Sequence, residues 1–234
     1  MMIVRNLMAF SVLATLTLAC GFPVPFEWSS EATSANVDEL LSANTFTVPE
    51  GQDADAARAL IQEYLGDHAS EENWPDGMAE LKLDVPILET FPVDLSTNAQ
   101  VSQAADTLSA VAVDRLELQF LANSVNYAIP SFHFFTVDDG ITMPDADAFD
   151  MNNPPAGVQQ IGTMTGVPAK STGSFELVYS ADGKQLLSDS LKALKFNIAI
   201  FTELSFDTEQ EGGLVPTGAV EVQAHIAGRF LSDN

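Results

Sequence analysis

Three segments of the chain alternate strictly between apolar and polar residues. They are ELKLDVPI at 80–87, RLELQF at 115–120 and VEVQAHIAGRF at 220–230. A period of two puts the apolar side chains on one face of a sheet and the polar ones in water, a pattern typical of antiparallel strands. Glu117 and His225 are therefore expected on solvated faces.

Two further segments are apolar on both faces. FNIAIFTELSF, at 196–206, is predicted to be a central strand that forms a C-terminal hairpin with 220–230. The segment 124–143 is predicted to be a strand that ends in a tight turn at Asp139-Gly140. Pro130 lies inside it and favours an edge position or a bulge, because proline cannot donate to a central ladder.

Helical spacing is clearest in QDADAARALIQEYLGDH, at 52–68. Asp53 and Asp55 suit its first turn, and Gly66 is expected to end it. Shorter helices are predicted at 99–111 and 183–194. Together the elements predict a mainly β fold: one antiparallel β-sandwich-like domain with one to three short helices. The alternative is an α+β arrangement.

The first twenty residues have the features of a signal peptide. Arg5 precedes an apolar run over 7–19, which is shorter than the about 20 residues that a membrane-spanning helix needs. The last five, LTLAC at 16–20, resemble the lipobox of bacterial lipoproteins. The resemblance implies cleavage before Cys20 and acylation of that residue, with palmitate-type chains that anchor the protein to a membrane. Gly21 then points to the outer membrane, with the domain facing the periplasm or the exterior.

Cys20 is the only cysteine, so it has no disulfide partner, in keeping with a role in attachment. This predicts a signal peptide at 1–19, a lipidated cysteine with a tether at 20–36, and a single acidic domain at 37–234. The aromatic residues of the tether, Phe26 and Trp28 among them, either lie at the membrane interface or pack on the domain.

The net charge of the chain limits the classes of molecule that it can bind. The net charge is −24, all 33 acidic residues follow Cys20, and one of the nine basic residues precedes it. Such a chain is unsuited to nucleic acid. It is also repelled by anionic headgroups, so the anchor is expected to hold the domain off the membrane surface. Adaptation to saline surroundings and cation binding are two explanations for the charge.

Catalytic motifs do not emerge from the sequence. It contains no GxSxG context, no zinc-ligand spacing and no phosphate-binding glycine pattern, and its cysteine is assigned to the lipid. The place of His133 in the alternating pattern of its strand predicts a hydrogen-bonded core residue. The place of His225 in its strand predicts a solvated residue. We therefore expect a protein that is not an enzyme.

Two other features offer binding chemistry. Asp145, Asp147 and Asp150 alternate within one loop and could turn their oxygens toward Ca²⁺, although the glycine and glutamate of an EF-hand are missing. The alternative is a solvated acidic loop. Six phenylalanines are expected either to fill the core or to line a lipid-sized cavity between the sheets: Phe132, Phe134, Phe135, Phe196, Phe201 and Phe206.

These observations lead to one main hypothesis, a lipid-anchored cell-envelope protein with a non-enzymatic interaction or structural role. Its partner would be an unknown envelope protein or glycan, besides the membrane that holds the anchor. A calcium-assisted module that binds glycans or proteins is the first alternative. An envelope carrier of a hydrophobic ligand is the second.

Overall fold

The computed structural model describes residues 23–43, 45–49, 51–68, 71, 73–96, 108–209 and 213–232. They form two facing antiparallel sheets of five strands each, which confirms the predicted β-sandwich. The strands are β1 (Val24–Ser29), β2 (Thr33–Asn36), β3 (Lys82–Asp94), β4 (Leu108–Asn123), β5 (Phe132–Asp138), β6 (Val158–Met164), β7 (Gly173–Glu176), β8 (Val178–Tyr179), β9 (Lys195–Asp207) and β10 (Ala219–Ser232).

The first sheet has the order β1-β10-β4-β7, and β2 also pairs with β10. The second has the order β3-β9-β5-β6-β8. The alternating residues of β3, β4 and β10 point into the space between the sheets, as their period predicted. Leu83, Leu118 and Ile226 are examples of fully buried side chains there.

The predicted C-terminal hairpin is wrong. β9 pairs with β3 and β5 in the second sheet, whereas β10 pairs with β1, β2 and β4 in the first. The chain therefore crosses from one sheet to the other between 208 and 218. The prediction that β9 is a central strand is confirmed, because it has a neighbour on each side.

The position of β5 also differs from the prediction. Pro130 lies outside the strand, which begins only at Phe132, so β5 is free to pair on both sides. The residue before the proline, Ile129, makes an isolated bridge to Val167. The turn at Asp139-Gly140 is confirmed, with Gly140 at a φ of 80°.

Three helices are present in the described residues: α1 (Val37–Ser42), α2 (Ala54–Glu63) and α3 (Gly183–Ala193). The Asp53 carboxylate caps α2 by accepting from the N–H groups of Asp55 and Ala56. Gly66 does not end the helical segment, which continues as a π-helical turn to His68. None of these helices has the length and apolar character that a membrane crossing requires.

The helix predicted at 99–111 falls mostly outside the described residues. Its last part is extended, because β4 begins at Leu108.

The N-terminal boundary of the domain lies earlier than predicted. β1 pairs along its whole length with β10, and β2 with the start of the same strand. Phe26 and Trp28 are 5% and 2% exposed, and Phe26 stacks on Phe230 with ring centroids 4.6 Å apart. The tether assigned to 20–36 is therefore wrong for residues 24–36, whose aromatic side chains pack in the core.

Helix α3 joins the two sheets at one end. Leu187 and Leu191 are buried, and the hydroxyl of Ser188 donates to the carbonyl of Val111 in the first sheet, at 2.6 Å. The helix leads directly into β9 of the second sheet, where the N–H of Leu95 donates to Leu194. Val111, Leu95 and Leu194 thus lie at the same end of the sandwich.

Candidate functional site

The loop between β5 and β6, residues 139–157, lies over the outer face of the second sheet. Phe149 anchors it, with ring centroids 5.2 Å from Phe135 and 5.3 Å from Phe201. This small second core is separate from the main one between the sheets, and its buried members are Phe135, Val137, Phe149, Val158, Ala199 and Phe201. Phe149 is the buried loop residue of this core, and Met143 of the same loop packs against it.

A groove with a volume of about 450 Å³ opens where the loop meets the sheet. We call it the loop groove. Its lining residues are Pro130, Ser131, His133, Phe149, Asp150, Met151, Asn152, Phe201 and Glu203. The volume lies within the ~300–1,000 Å³ range of ligand sites, and the lining combines aromatic surface with carboxylates.

His133 stands on the sheet side of the groove. It shares a face with Phe135, as the sequence predicted, but that face belongs to the second core and not to the main one. The imidazole is half-buried, and its Nδ1 lies 3.1 Å from Nε2 of Gln160. Burial lowers the pKa of His133, so the ring is neutral at neutral pH.

Two carboxylates line the same groove. Partial burial raises the pKa of Glu203, and the nearby Asp84 carboxylate adds to this. Asp150 follows the Phe149 anchor, and its Oδ1 accepts from the N–H of Asn152 at 2.9 Å. Two carboxylates, with no lysine or arginine among the lining residues, give the groove an acidic lining.

The three predicted calcium ligands lie in this loop. Asp145 precedes a single 3₁₀ turn (Ala146–Ala148), Asp147 lies within it, and Asp150 reaches the groove. All three are exposed. Within the described ranges, no three histidine, cysteine, aspartate or glutamate side chains are arranged to hold a metal ion. The calcium site therefore stays a prediction from sequence.

His225 lies on the outer face of the first sheet, as predicted, in a row with Ser29 of β1 and Glu117 of β4. The Ser29 hydroxyl lies 2.8 Å from Nδ1 of His225. Glu117 faces away from the core but is only 5% exposed, contrary to the solvated position expected. Its carboxylate accepts from the Gln119 amide at 2.9 Å, and within the described residues no hydrogen bond joins it to His225.

The six phenylalanines are divided between the two cores. Phe132, Phe134, Phe196 and Phe206 pack in the main core, while Phe135 and Phe201 pack under the loop. The apolar gap between the sheets beside Phe132 has a volume of about 30 Å³. This is about the share of one water molecule, so that gap is too small for a lipid.

Sequence reasoning found one edge of the groove, at Asp150, but missed Phe149 and Glu203. The signal for Phe149 was a lone aromatic residue in a polar loop. Glu203 had no local signal, because its place in the groove depends on the pairing of β9 with β5.

Cys20 and the LTLAC segment lie outside the described residues.

Comparison with known proteins places the chain in no family: no family model matches it, and no curated protein matches it. Among solved structures, a cryo-EM structure of mud crab tombus-like virus aligns over 99% of this chain and 91% of its own, at 10% identity and a TM-score of 0.30. Turnip yellow mosaic virus aligns over 68% and 85%, at 10% identity and a TM-score of 0.28. Tobacco necrosis virus aligns over 66% and 96%, at 8% identity and a TM-score of 0.22. Similarity at this level does not identify a shared fold.

Proposed function

We propose that this protein is anchored in the bacterial cell envelope by lipid on Cys20 and has a non-enzymatic interaction role, with the loop groove as its contact site. The LTLAC segment and the single cysteine support the anchor. The observation that carries the proposal is that LTLAC contains the only cysteine of the chain. In the fold, β1 begins at Val24 and is paired from its first residue. A lipidated Cys20 would stand only four residues before the folded domain.

So short a connection limits how far the domain can stand from the membrane. Four residues span at most about 14 Å when fully extended. The domain would then lie close to the headgroups, closer than its overall charge suggested.

The charges at the end of the sandwich where the chain enters β1 are compatible with a position close to the membrane. Val24 pairs with Phe230, which pairs with Val111, so the chain enters at the end that α3 closes. Basic residues there are balanced by acids in three ion pairs: Arg229 with Asp114 at 2.7 Å, Lys195 with Asp94 at 3.2 Å, and Lys192 with Asp189 at 3.2 Å. These pairs would reduce repulsion from an anionic membrane surface.

The loop groove lies away from this end. Lys195 begins β9 beside the chain entry, and Glu203 follows eight residues later along the same strand. At about 3.3 Å per residue, this separates them by roughly 26 Å. A partner approaching from the side opposite the membrane would therefore reach the groove.

The bonding of the histidines supports a non-enzymatic role. His225 bonds the Ser29 hydroxyl, but the neighbouring Glu117 is held by Gln119, so the row lacks the relay that activates a nucleophile. His133 bonds a glutamine amide. A serine-type mechanism needs a base that is itself oriented by a third group.

Metabolic labelling with a palmitate analogue tests the anchor in bacterial cells. The wild-type protein and the control variant Gly21→Ala, which keeps the cysteine, are expected to carry the label and to fractionate with membranes. Cys20→Ser is expected to lose the label. Equal labelling of Cys20→Ser and the wild type would overturn the anchor.

A further inference from the structure

We propose that the loop groove binds a lysine or arginine side chain of a partner protein. The inference deepens the interaction role proposed above and rests on it. It commits the groove to one chemistry, a cation carried on an apolar stem.

Charge complementarity favours a cation. Asp150 and Glu203 line the groove, Asp84 lies close to Glu203, and no lysine or arginine is among the lining residues. His133 is the one basic group there, and it is neutral at neutral pH. An anionic ligand would meet two carboxylates without a counter-charge, whereas a cation would relieve their repulsion.

Hydrogen-bonding capacity is open on the two carboxylates. Within the described residues, the Glu203 carboxylate accepts no hydrogen bond, and the Asp150 carboxylate accepts one, on Oδ1 from the N–H of Asn152. A guanidinium group has five N–H donors and an ammonium group has three. Either could donate to the unsatisfied carboxylate oxygens, and such charge-assisted bonds are the strong ones.

The apolar part of the lining suits the stem of the same side chain. Phe149, Phe201 and Met151 provide aromatic and thioether surface beside the carboxylates. Lysine and arginine bury their methylene groups on such surface while the charged end stays polar. Met151 is itself 36% exposed, so this surface is partly open to a partner.

The groove lies between the second sheet and the loop that joins β5 to β6. On the side of the sheet, the groove is bounded by the paired strands β5 and β9, in which His133 lies directly opposite Phe201. Its other side is the loop held by Phe149. A side chain inserted into the groove would therefore lie between the paired strands and the loop.

A binding assay with the full chain in non-ionic detergent tests the inference. The probe is a fluorescent hexapeptide with a central Lys-Arg pair, and the comparison peptide has Gln-Gln at those positions. At about 0.15 M salt the Debye length is about 8 Å, so general attraction to an acidic protein is largely screened. The Lys-Arg peptide is expected to raise the anisotropy and the Gln-Gln peptide is not.

Matched variants locate the site. Asp150→Asn and Glu203→Gln each remove one groove charge and keep the shape, and each is expected to weaken binding about tenfold. Glu221→Gln removes the same charge from an exposed position on β10 and is expected to leave the affinity within about twofold of the wild type. Circular dichroism confirms that each variant is folded.

Three results would overturn the inference: equal weakening by Glu221→Gln and the groove variants, equal binding of the two peptides, or no binding. None of these would affect the lipid anchor, because labelling at Cys20 is measured separately. Absence of the label from the wild-type protein, with groove binding intact, would reject the anchor alone.

Discussion

Gly228 lies where strands of the first sheet leave no room for a side chain. A Cβ added there would lie 2.6 Å from the carbonyl oxygen of Ala112 and 2.8 Å from the Phe26 ring. The register of β10 against β4 shifts at this point, between Ala227 and Gly228. A side chain would push apart β1 and β4, which pair with β10 at this position.

Gly228→Ala is therefore expected to destabilise the protein by about 1–3 kcal/mol, the usual cost of overpacking. Thermal unfolding measures the effect, at roughly 2–4 °C per kcal/mol for a chain of this size. Gly66→Ala is the control, because an added Cβ there meets no atom within 4 Å. Equal melting temperatures for the two variants would contradict the packing at Gly228.

Glu89 is an inward-facing carboxylate on the edge strand β3. It lies in the row of core positions between Ile87 and Phe91, at a gap between the sheets that is otherwise almost wholly apolar. Burial raises its pKa, and a 3.3 Å hydrogen bond from the Thr33 hydroxyl offsets this in part. A charge at this position discourages pairing with another strand, at some cost in stability.

The effect of Glu89 on the free energy of unfolding depends on pH. Because the folded state holds the Glu89 proton more tightly than the unfolded state, its contribution to stability is present at low pH and lost as pH rises through the raised pKa. Glu89→Gln is therefore expected to stabilise the protein at pH 7 by on the order of 0.5 kcal/mol. The gain should vanish at about pH 3, more than one unit below the ordinary glutamate pKa of about 4.3, where the glutamate is protonated in both states. Urea unfolding of both proteins at the two pH values checks this, and a constant difference between them would count against it.

At the scale of the elements, the β5–β6 loop joins the second core through the buried side chain of Phe149. Phe149 is 7% exposed and supplies the aromatic contacts to Phe135 and Phe201. Its removal leaves the main core untouched, because the two cores are separate clusters.

Phe149→Ala is expected to open the loop locally rather than to unfold the domain. Hydrogen exchange of residues 145–157 should accelerate at least about tenfold, since loss of a buried aromatic side chain costs several kcal/mol. Strands β4 and β10 should keep their protection. Met151→Ala, which alters an exposed side chain of the same loop, is the control. Unchanged exchange in Phe149→Ala would mean that other contacts hold the loop.

The elements also divide by how well the sequence predicts them. Strict alternation identified β4 and β10, and helical spacing with acidic residues in the first turn identified α2, because these are local properties. The prediction of a tether was wrong for β1, since Pro23, Pro25 and the adjacent Ser/Thr-rich stretch outweighed the alternation of Phe26 and Trp28. The predicted pairing of β9 with β10 was wrong because a polar loop can connect two neighbouring strands of one sheet or two strands that lie in different sheets.

The site was predictable only in part, for the same reason. Asp150 stood out as one of three alternating acids, and the parity of His133 with Phe135 was correct. That this face carries a second core could not be known without the path of the loop. Glu117 shows a further limit, because its burial arises from neighbours on adjacent strands.

At the scale of the whole molecule, repulsion between acidic side chains lowers the stability of the folded state. With a net charge of −24, the acids repel one another more strongly in the folded chain than in the unfolded one. The ion pairs near the chain entry relieve this only locally.

The melting temperature is therefore expected to rise with salt. Between about 0.1 M and 1 M KCl the Debye length falls from about 10 to 3 Å, which screens the repulsion. A stabilisation of 1 kcal/mol would appear as an increase of roughly 2–4 °C. A melting temperature that stays constant or falls would show that repulsion does not limit stability.

The central claim is that Cys20 is the lipidated first residue of the mature protein. Mass spectrometry of protein extracted from bacterial membranes and digested after glutamate tests it most directly. We expect an N-terminal peptide of residues 20–27 whose mass exceeds that of the bare peptide by a diacylglyceryl group and one further acyl chain. A peptide that begins before residue 20, or one that carries Cys20 as a free thiol, would contradict the claim.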